Sequence, residues 1–429
     1  MVKEHIIKIS KDTFLVLALN TVNYLSSFIL AVLVSRYLGI ESFGEYSLIF
    51  AYVLLLGIVC DFGLSTLLIR KIGENKFNAR ETIRDFNLIK LTISVTILMI
   101  LFLTIYLFFE KMFSAAFITG VTLILPRSLM STYESSLRSF QNQKLPVIIK
   151  SANSLLQLAF SYYLLTNGSG LTLIMLCILM FDNLALMILI SVNKTLIDKY
   201  YSGKEECRIQ ILSHEIKEKS ILILRESSVF FMNNFLMLSI RGLNVILLGY
   251  ISTTASVGIY SAGSKFVNGA GLFSGALFNS FYPVISNLKN DNKYRTELTK
   301  KFILYSFIAG MIITIPVYFL SGYLIEYTFK TAESATVLKI LSFTIIPVLV
   351  YTVTQSYLFS VYDEKFLNKV LITAWSINII ISIILIRLYD YTGSAIALTI
   401  TEIILMVTQL IKFKYDIHIS ELKNITKIK

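Results

Sequence analysis

Six ionisable residues fall deep inside apolar stretches: Arg127, Glu134, Asp182, Arg241, Lys265 and Glu402. A charge at membrane depth costs about 2.5 kcal/mol or more on insertion scales and usually faces a cavity. Arg241 and Lys265 are the sharpest pair. Arg241 stands about eight residues before the end of its stretch, and Lys265 about nine residues after the start of the next. On neighbouring antiparallel helices rising ~1.5 Å per residue, both cations reach similar depth. They repel unless they are separated, paired or given an anion. An anionic ligand in a cavity is one solution, and Arg127 would add a third cation to it. A carboxylate partner for each, such as Asp182 or Glu402, is the other. Amides also lie at depth, among them Asn20, Asn234 and Asn244. Amides suit sugar hydroxyls and serve equally as hydrogen-bonding glue between helices. Asp61, Arg225 and Glu226 sit near helix ends where snorkelling is cheap, and Lys150 and Lys339 are within reach of an interface.

Bond-making chemistry finds no support. The chain has no Gly-x-x-x-x-Gly-Lys-Ser/Thr phosphate loop, no zinc-protease helix and no Gly-x-Ser-x-Gly nucleophile turn. The three cysteines, Cys60, Cys177 and Cys207, and the three histidines, His5, His214 and His418, form no ligand or disulfide pattern. No cofactor is expected. Energy for any transport then comes from an ion gradient, the membrane potential or the substrate gradient.

The elements that position these residues are membrane helices. Of 429 residues, 55% are hydrophobic and 15% charged, against roughly 25% charged in soluble domains. Mean hydropathy is +0.71. Stretches near the ~20 apolar residues that span a bilayer recur along the whole chain. They run over 13–34, 43–69, 86–109, 113–137, 146–166, 170–192, 221–249, 256–285, 302–325, 332–361, 366–387 and 391–411. The net charge of +12 is read as topology and not as nucleic-acid binding. Lysines and arginines crowd alternate connections and both termini, while the opposite side holds only Arg36, Lys111, Lys330 and Arg387. Excess basic residues mark the cytoplasmic face, so about twelve spans with both termini inside are expected. Pro126, Pro316 and Pro347 fall within spans, where a proline favours a bend.

A repeat divides the chain. Phe43-Gly44-Glu45-Tyr46-Ser47 opens the second span, and Val257-Gly258-Ile259-Tyr260-Ser261 opens the eighth. Each follows a Leu-Gly, Leu38-Gly39 and Leu248-Gly249, and Gly44 and Gly258 lie 214 residues apart. The same offset carries Asn20 onto Asn234. Two parallel six-helix repeats around a central cavity are therefore expected, at 1–192 and 221–429, with a cytoplasmic linker at 193–220.

Arg36-Tyr37-Leu38-Gly39, Phe43-Gly44-Glu45-Tyr46-Ser47, Asp61-Phe62-Gly63-Leu64 and Ile69-Arg70-Lys71 resemble the opening of the polysaccharide-export flippases. These are the Wzx-like O-antigen and capsule repeat-unit flippases of the multidrug/oligosaccharidyl-lipid/polysaccharide (MOP) superfamily. Leu247-Leu248-Gly249 with Val257-Gly258-Ile259-Tyr260-Ser261-Ala262 resembles that family's span 7–8 boundary. The resemblance implies a non-enzymatic transporter in the bacterial inner membrane. Its substrate would be an undecaprenyl-diphosphate-linked glycan, with membrane lipids around it and polysaccharide polymerase machinery as a partner. It implies a cationic cavity. Many relatives carry an acid near Asn244, where this chain has an amide. A proton or sodium coupling acid is then sought among Asp182, Glu402 and Glu134. Two rivals share the superfamily: a cation or drug antiporter, which would want carboxylates and aromatics in its cavity, and a peptidoglycan-precursor flippase, which usually has two further spans.

Overall fold

A computed structural model describes residues 2–108, 114–201, 213–288, 292–361 and 363–426. Lys111 and the middle of the predicted linker, 202–212 with Cys207, lie outside the described residues. The described chain is helical without strands. Its helices are α1 (Val2–Asp61), α2 (Leu64–Glu74), α3 (Ala79–Phe108), α4 (Ala115–Val121), α5 (Ile124–Ser139), α6 (Lys144–Thr166) and α7 (Leu171–Tyr201). They continue as α8 (Ser213–Ile251), α9 (Thr254–Asn287), α10 (Asn292–Thr328), α11 (Ala332–Ser342), α12 (Ile345–Ser360) and α13 (Glu364–Thr426).

Among the described residues, every predicted apolar span falls on helix apart from short breaks in three of them. Eight stretches among the described residues are long and apolar enough to cross a membrane, which makes this a multi-pass membrane protein. Two of them, Leu15–Asp61 and Lys365–His418, hold 47 and 54 residues, more than twice what one crossing needs. Each contains a kink where the sequence places a boundary between spans. In α1 the kink is Gly39 at φ 84°, a left-handed angle that costs glycine little. In α13 it is Asp390 at φ 52°, a strained angle for a side-chain-bearing residue, whose Oδ2 accepts a 2.6 Å bond from Ser256 Oγ.

Three spans are themselves broken, and proline explains two of the breaks. Pro126 and Pro347 each stand third in a helix, at Ile124-Leu125-Pro126 and Ile345-Ile346-Pro347. A proline ring clashes with the carbonyl four residues earlier, here Thr122 and Phe343. Those are the C-cap residues immediately after α4 and α11. The third break, Phe62-Gly63 at φ 43° and 73°, separates α1 from α2. Pro316 lies inside the continuous α10.

Contacts divide the chain into two units, Met1–Gly39 with Leu48–Gly242, and Ile40–Ser47 with Leu243–Lys429. In the first, α2, α3, α5, α7 and α8 share a core that includes Leu67, Leu68, Phe86, Phe140, Ile197 and Ile223. At the polar end of these helices, Lys71 pairs with Glu226 at 2.9 Å and Lys219 with Glu81 and Asp85 at 2.8 and 2.7 Å. Partial burial lowers the Lys219 pKa, but the bonds to Asp85 and Glu81 outweigh it and hold the ammonium above its usual range.

In the second unit, the segment Ile40–Ser47 packs on the start of α9. A Cβ added to Gly44 would overlap the Thr254 carbonyl and stand 2.9 Å from the Gly258 nitrogen. One added to Gly258 would overlap the Ile40 carbonyl. Backbones touch here because neither glycine has a side chain, the device membrane helices use for close packing. Beside the crossing, Phe43 is wholly buried and its ring lies 5.3 Å from that of Phe329.

Candidate functional site: a charged cavity in the first unit

The break at Gly63 ends α1 with Asp61 and places Ser65, four residues on, in the first turn of α2. Asp61 meets a lysine absent from the sequence-derived candidates. The Lys90 side chain is 0% exposed and donates to Asp61 Oδ1 at 2.7 Å, Ser65 Oγ at 2.9 Å and Ser131 Oγ at 2.7 Å. Three acceptors match the three ammonium protons. Ser65 also donates to Asp61 Oδ1, so the bonds of that carboxylate among the described residues gather on one oxygen. One turn along, Ser94 and Ser128 extend the ladder at 3.0 Å. A buried ammonium is tolerable only with this degree of satisfaction.

The reading of Asp61 as a snorkelling end residue is therefore corrected. Its side chain is 24% exposed, and it lines a cavity of about 540 Å³. A signal for Lys90 was present. Lys90 and Ser94 stand four apart within α3, which puts both on one helix face.

A second charge borders the same cavity. The break before Pro126 places Arg127 in the first turn of α5. Its Nε donates to Asp182 Oδ2 at 2.8 Å, and its guanidinium lies 5.1 Å from the centre of the Phe50 ring. Asp182 is 3% exposed and accepts on its other oxygen from Asn153 at 2.9 Å and Gln157 at 2.7 Å. The arrangement is asymmetric. The carboxylate is hidden, while Arg127 is 35% exposed and its two Nη groups bond to nothing among the described residues. The cavity thus shows one cation and one anion in front, each with its counter-charge behind. Ser65, Ser128, Ser131 and Asn234 add hydroxyls and an amide.

The remaining sequence candidates lie elsewhere. Glu134 accepts a long 3.4 Å bond from Arg138 one turn on. Asn20 is exposed on α1. Arg241 is half-buried in the first unit and Lys265 half-buried in the second. Asn244 is wholly buried in the second unit, where it accepts from Ser382 at 2.8 Å. Glu402, also there, is 2% exposed. Asp182 is the partner of Arg127. Among the described residues no cluster of His, Cys, Asp and Glu could hold a metal ion.

The fold is similar to that of an inward-facing multidrug-resistance MATE transporter of the MOP superfamily, with TM-score 0.72, 14% identity, and 94% of this chain matched to 96% of that one. It is similar to the lipid II flippase MurJ in an inward closed conformation, with TM-score 0.71, 16% identity, and 95% and 87% of the two chains. It is also similar to a MOP superfamily transporter from Pyrococcus furiosus whose binding pocket is described as reversed in polarity, with TM-score 0.64, 14% identity, and 97% and 96% coverage. Among curated proteins no sequence matches. This is the fold that the MATE transporter and the lipid II flippase share. Over residues 9–289 the sequence matches the polysaccharide biosynthesis protein family, and the chain belongs to it.

Proposed function

We propose that the protein flips an undecaprenyl-diphosphate-linked oligosaccharide across the bacterial inner membrane by alternating access, in twelve passes with both termini cytoplasmic. The observation that carries this reading is the presentation of Arg127, with its Nε edge fixed by Asp182 and its partly exposed side chain lining a cavity rich in hydroxyls. A guanidinium offers paired donors to a phosphate. The hydroxyls, the amide and the Asp61 carboxylate offer partners to a glycan. Arg241 and Lys265 offset the remaining charge of the diphosphate, and Asn20, Asn234 and Asn244 serve the sugar. The helix breaks at Pro126 and Pro347 absorb the motion. Coupling to a proton or sodium gradient, if used, engages Asp182, Glu402 or Glu134, and the polysaccharide polymerase machinery takes up the product.

Alanine at Arg127, Arg241 or Lys265 is expected to lower export by about tenfold or more, since a charged hydrogen bond contributes about 1.5–3 kcal/mol. Membrane abundance of the Arg241 and Lys265 variants should be unchanged. Normal export in both of those variants would remove them from the pathway.

The decisive experiment extracts lipids from a strain lacking the protein and measures them by mass spectrometry. Accumulation of diphosphate-linked repeat units that disappears on restoration supports the proposal, and the glycan mass identifies the substrate. No accumulation, with surface polysaccharide intact, favours a cation or drug antiporter, for which the exposed face of Asp61 would be the ligand site. Accumulation of a peptidoglycan precursor alone points to the other flippase class.

A further inference from the structure

An arginine and a carboxylate often meet as two forks, with a parallel N–H···O bond to each oxygen. Arg127 and Asp182 do not. Among the described residues one bond joins them, from Nε to Oδ2 at 2.8 Å. The reason lies on α6. Asn153 and Gln157 stand four residues apart, on one face of that helix. Both reach the other oxygen of Asp182: Asn153 Nδ2 donates to Oδ1 at 2.9 Å and Gln157 Nε2 at 2.7 Å. A carboxylate oxygen has about two lone-pair directions, and the two amides fill them. The second arm of the arginine fork has no place to land. α6 is itself tied to α1, where Ser151 donates to the Leu19 carbonyl at 3.2 Å and Ser154 to Asn23 Oδ1 at 2.9 Å.

Satisfying Asp182 does not by itself require the amides. The carboxylate is 3% exposed, and the fork of Arg127 could serve both of its oxygens. With the amides in place, the guanidinium forgoes one bond to Asp182. Its Nη groups bond to nothing among the described residues, and the side chain stays 35% exposed on the cavity wall.

We propose that Asn153 and Gln157 are positioning residues that hold the Arg127 fork open for a phosphate. They act through Asp182, by occupying the oxygen that would otherwise close on the guanidinium. This rests on the reading of Arg127 as a phosphate ligand and adds why its counter-charge does not block it. The amides and the carboxylate then have opposite effects. Loss of the amides lets the fork close, and loss of the carboxylate leaves nothing for it to close on.

The test titrates farnesyl diphosphate, with farnesol as the uncharged control, into the full-length protein in detergent. The parent should prefer the diphosphate, and Arg127→Ala should lower its affinity by about tenfold. Asn153→Leu/Gln157→Met should lower it by about fivefold or more and leave farnesol unchanged. Adding Asp182→Asn to that variant should return the affinity to the parent's level or above, a rescue that a packing defect would not show. Gln157→Met alone frees one lone-pair direction and should shift the affinity the same way, which decides the matter if the double variant does not fold. Parent-like affinity in the amide variants, with Arg127→Ala weakened, overturns this proposal and leaves the phosphate reading standing. Unchanged affinity in Arg127→Ala overturns both. Failure of Asp182→Asn to restore binding means that the amides only support the fold, and it overturns the proposal too.

Discussion

Asp61→Ala is expected to destabilise the protein more than Lys90→Met does. The alanine leaves a wholly buried ammonium with only two serine hydroxyls for company. Breaking a buried pair from one side typically costs about 3–5 kcal/mol. Lys90→Met leaves the carboxylate instead, and that side chain is 24% exposed to a cavity that water can enter. Hydration there offsets part of the loss. The double variant Asp61→Ala/Lys90→Met removes both charges from the core, so its cost should fall well below the sum of the singles. Thermal unfolding of the purified chain in detergent gives the three numbers. Equal single losses that simply add would mean that the two charges do not depend on each other.

Gly44→Ala is expected to prevent stable folding of the second unit, and Gly258→Ala to come close to it. In both cases the atom in the way belongs to backbone, the carbonyl of Thr254 or of Ile40, and backbone cannot rotate aside as a side chain can. Overpacking usually costs about 1–3 kcal/mol, and a clash with two helix backbones should exceed that range. Gly73 provides the control, since a Cβ added there meets nothing within 4 Å. Gly73→Ala should be neutral or gain up to about 1 kcal/mol from helix preference. The comparison is made by the yield of monodisperse protein after extraction and by its melting midpoint. Normal yield for Gly44→Ala would mean that the crossing is looser than the distances require.

The helical plan was legible because hydropathy is a property of runs, and runs survive the loss of three-dimensional detail. The same is true of the kinks at Gly39 and Asp390, which fall where one apolar run gives way to the next. The proline breaks were half legible: Pro126 and Pro347 announce a bend, while Pro316 passes through an unbroken helix. Charge partners were not legible in the same way. Asp182 lies 55 residues from Arg127, and Lys90 lies 29 residues from Asp61, separations at which sequence spacing alone does not fix who meets whom. Depth counted from the end of a span misplaced Asp61 for a related reason. The break at Gly63 lets the chain turn just there and carries the carboxylate to a cavity wall.

The glycine crossing has a further property. Gly44 meets Thr254, and Gly258 meets Ile40. Both Gly44 and Gly258, and Ile40 and Thr254, are 214 residues apart, so the contact reads the same when the two copies of the motif exchange places. That reciprocity is the mark of an isologous interface, in which a local twofold axis passes between matching surfaces. Were the two copies separate chains, one surface would suffice for both partners, and the pair would close as a homodimer with no edge left over. Any residue added at the crossing in one copy therefore meets the same wall as its counterpart would in the other, and a change that widened one side alone would leave the contact lopsided.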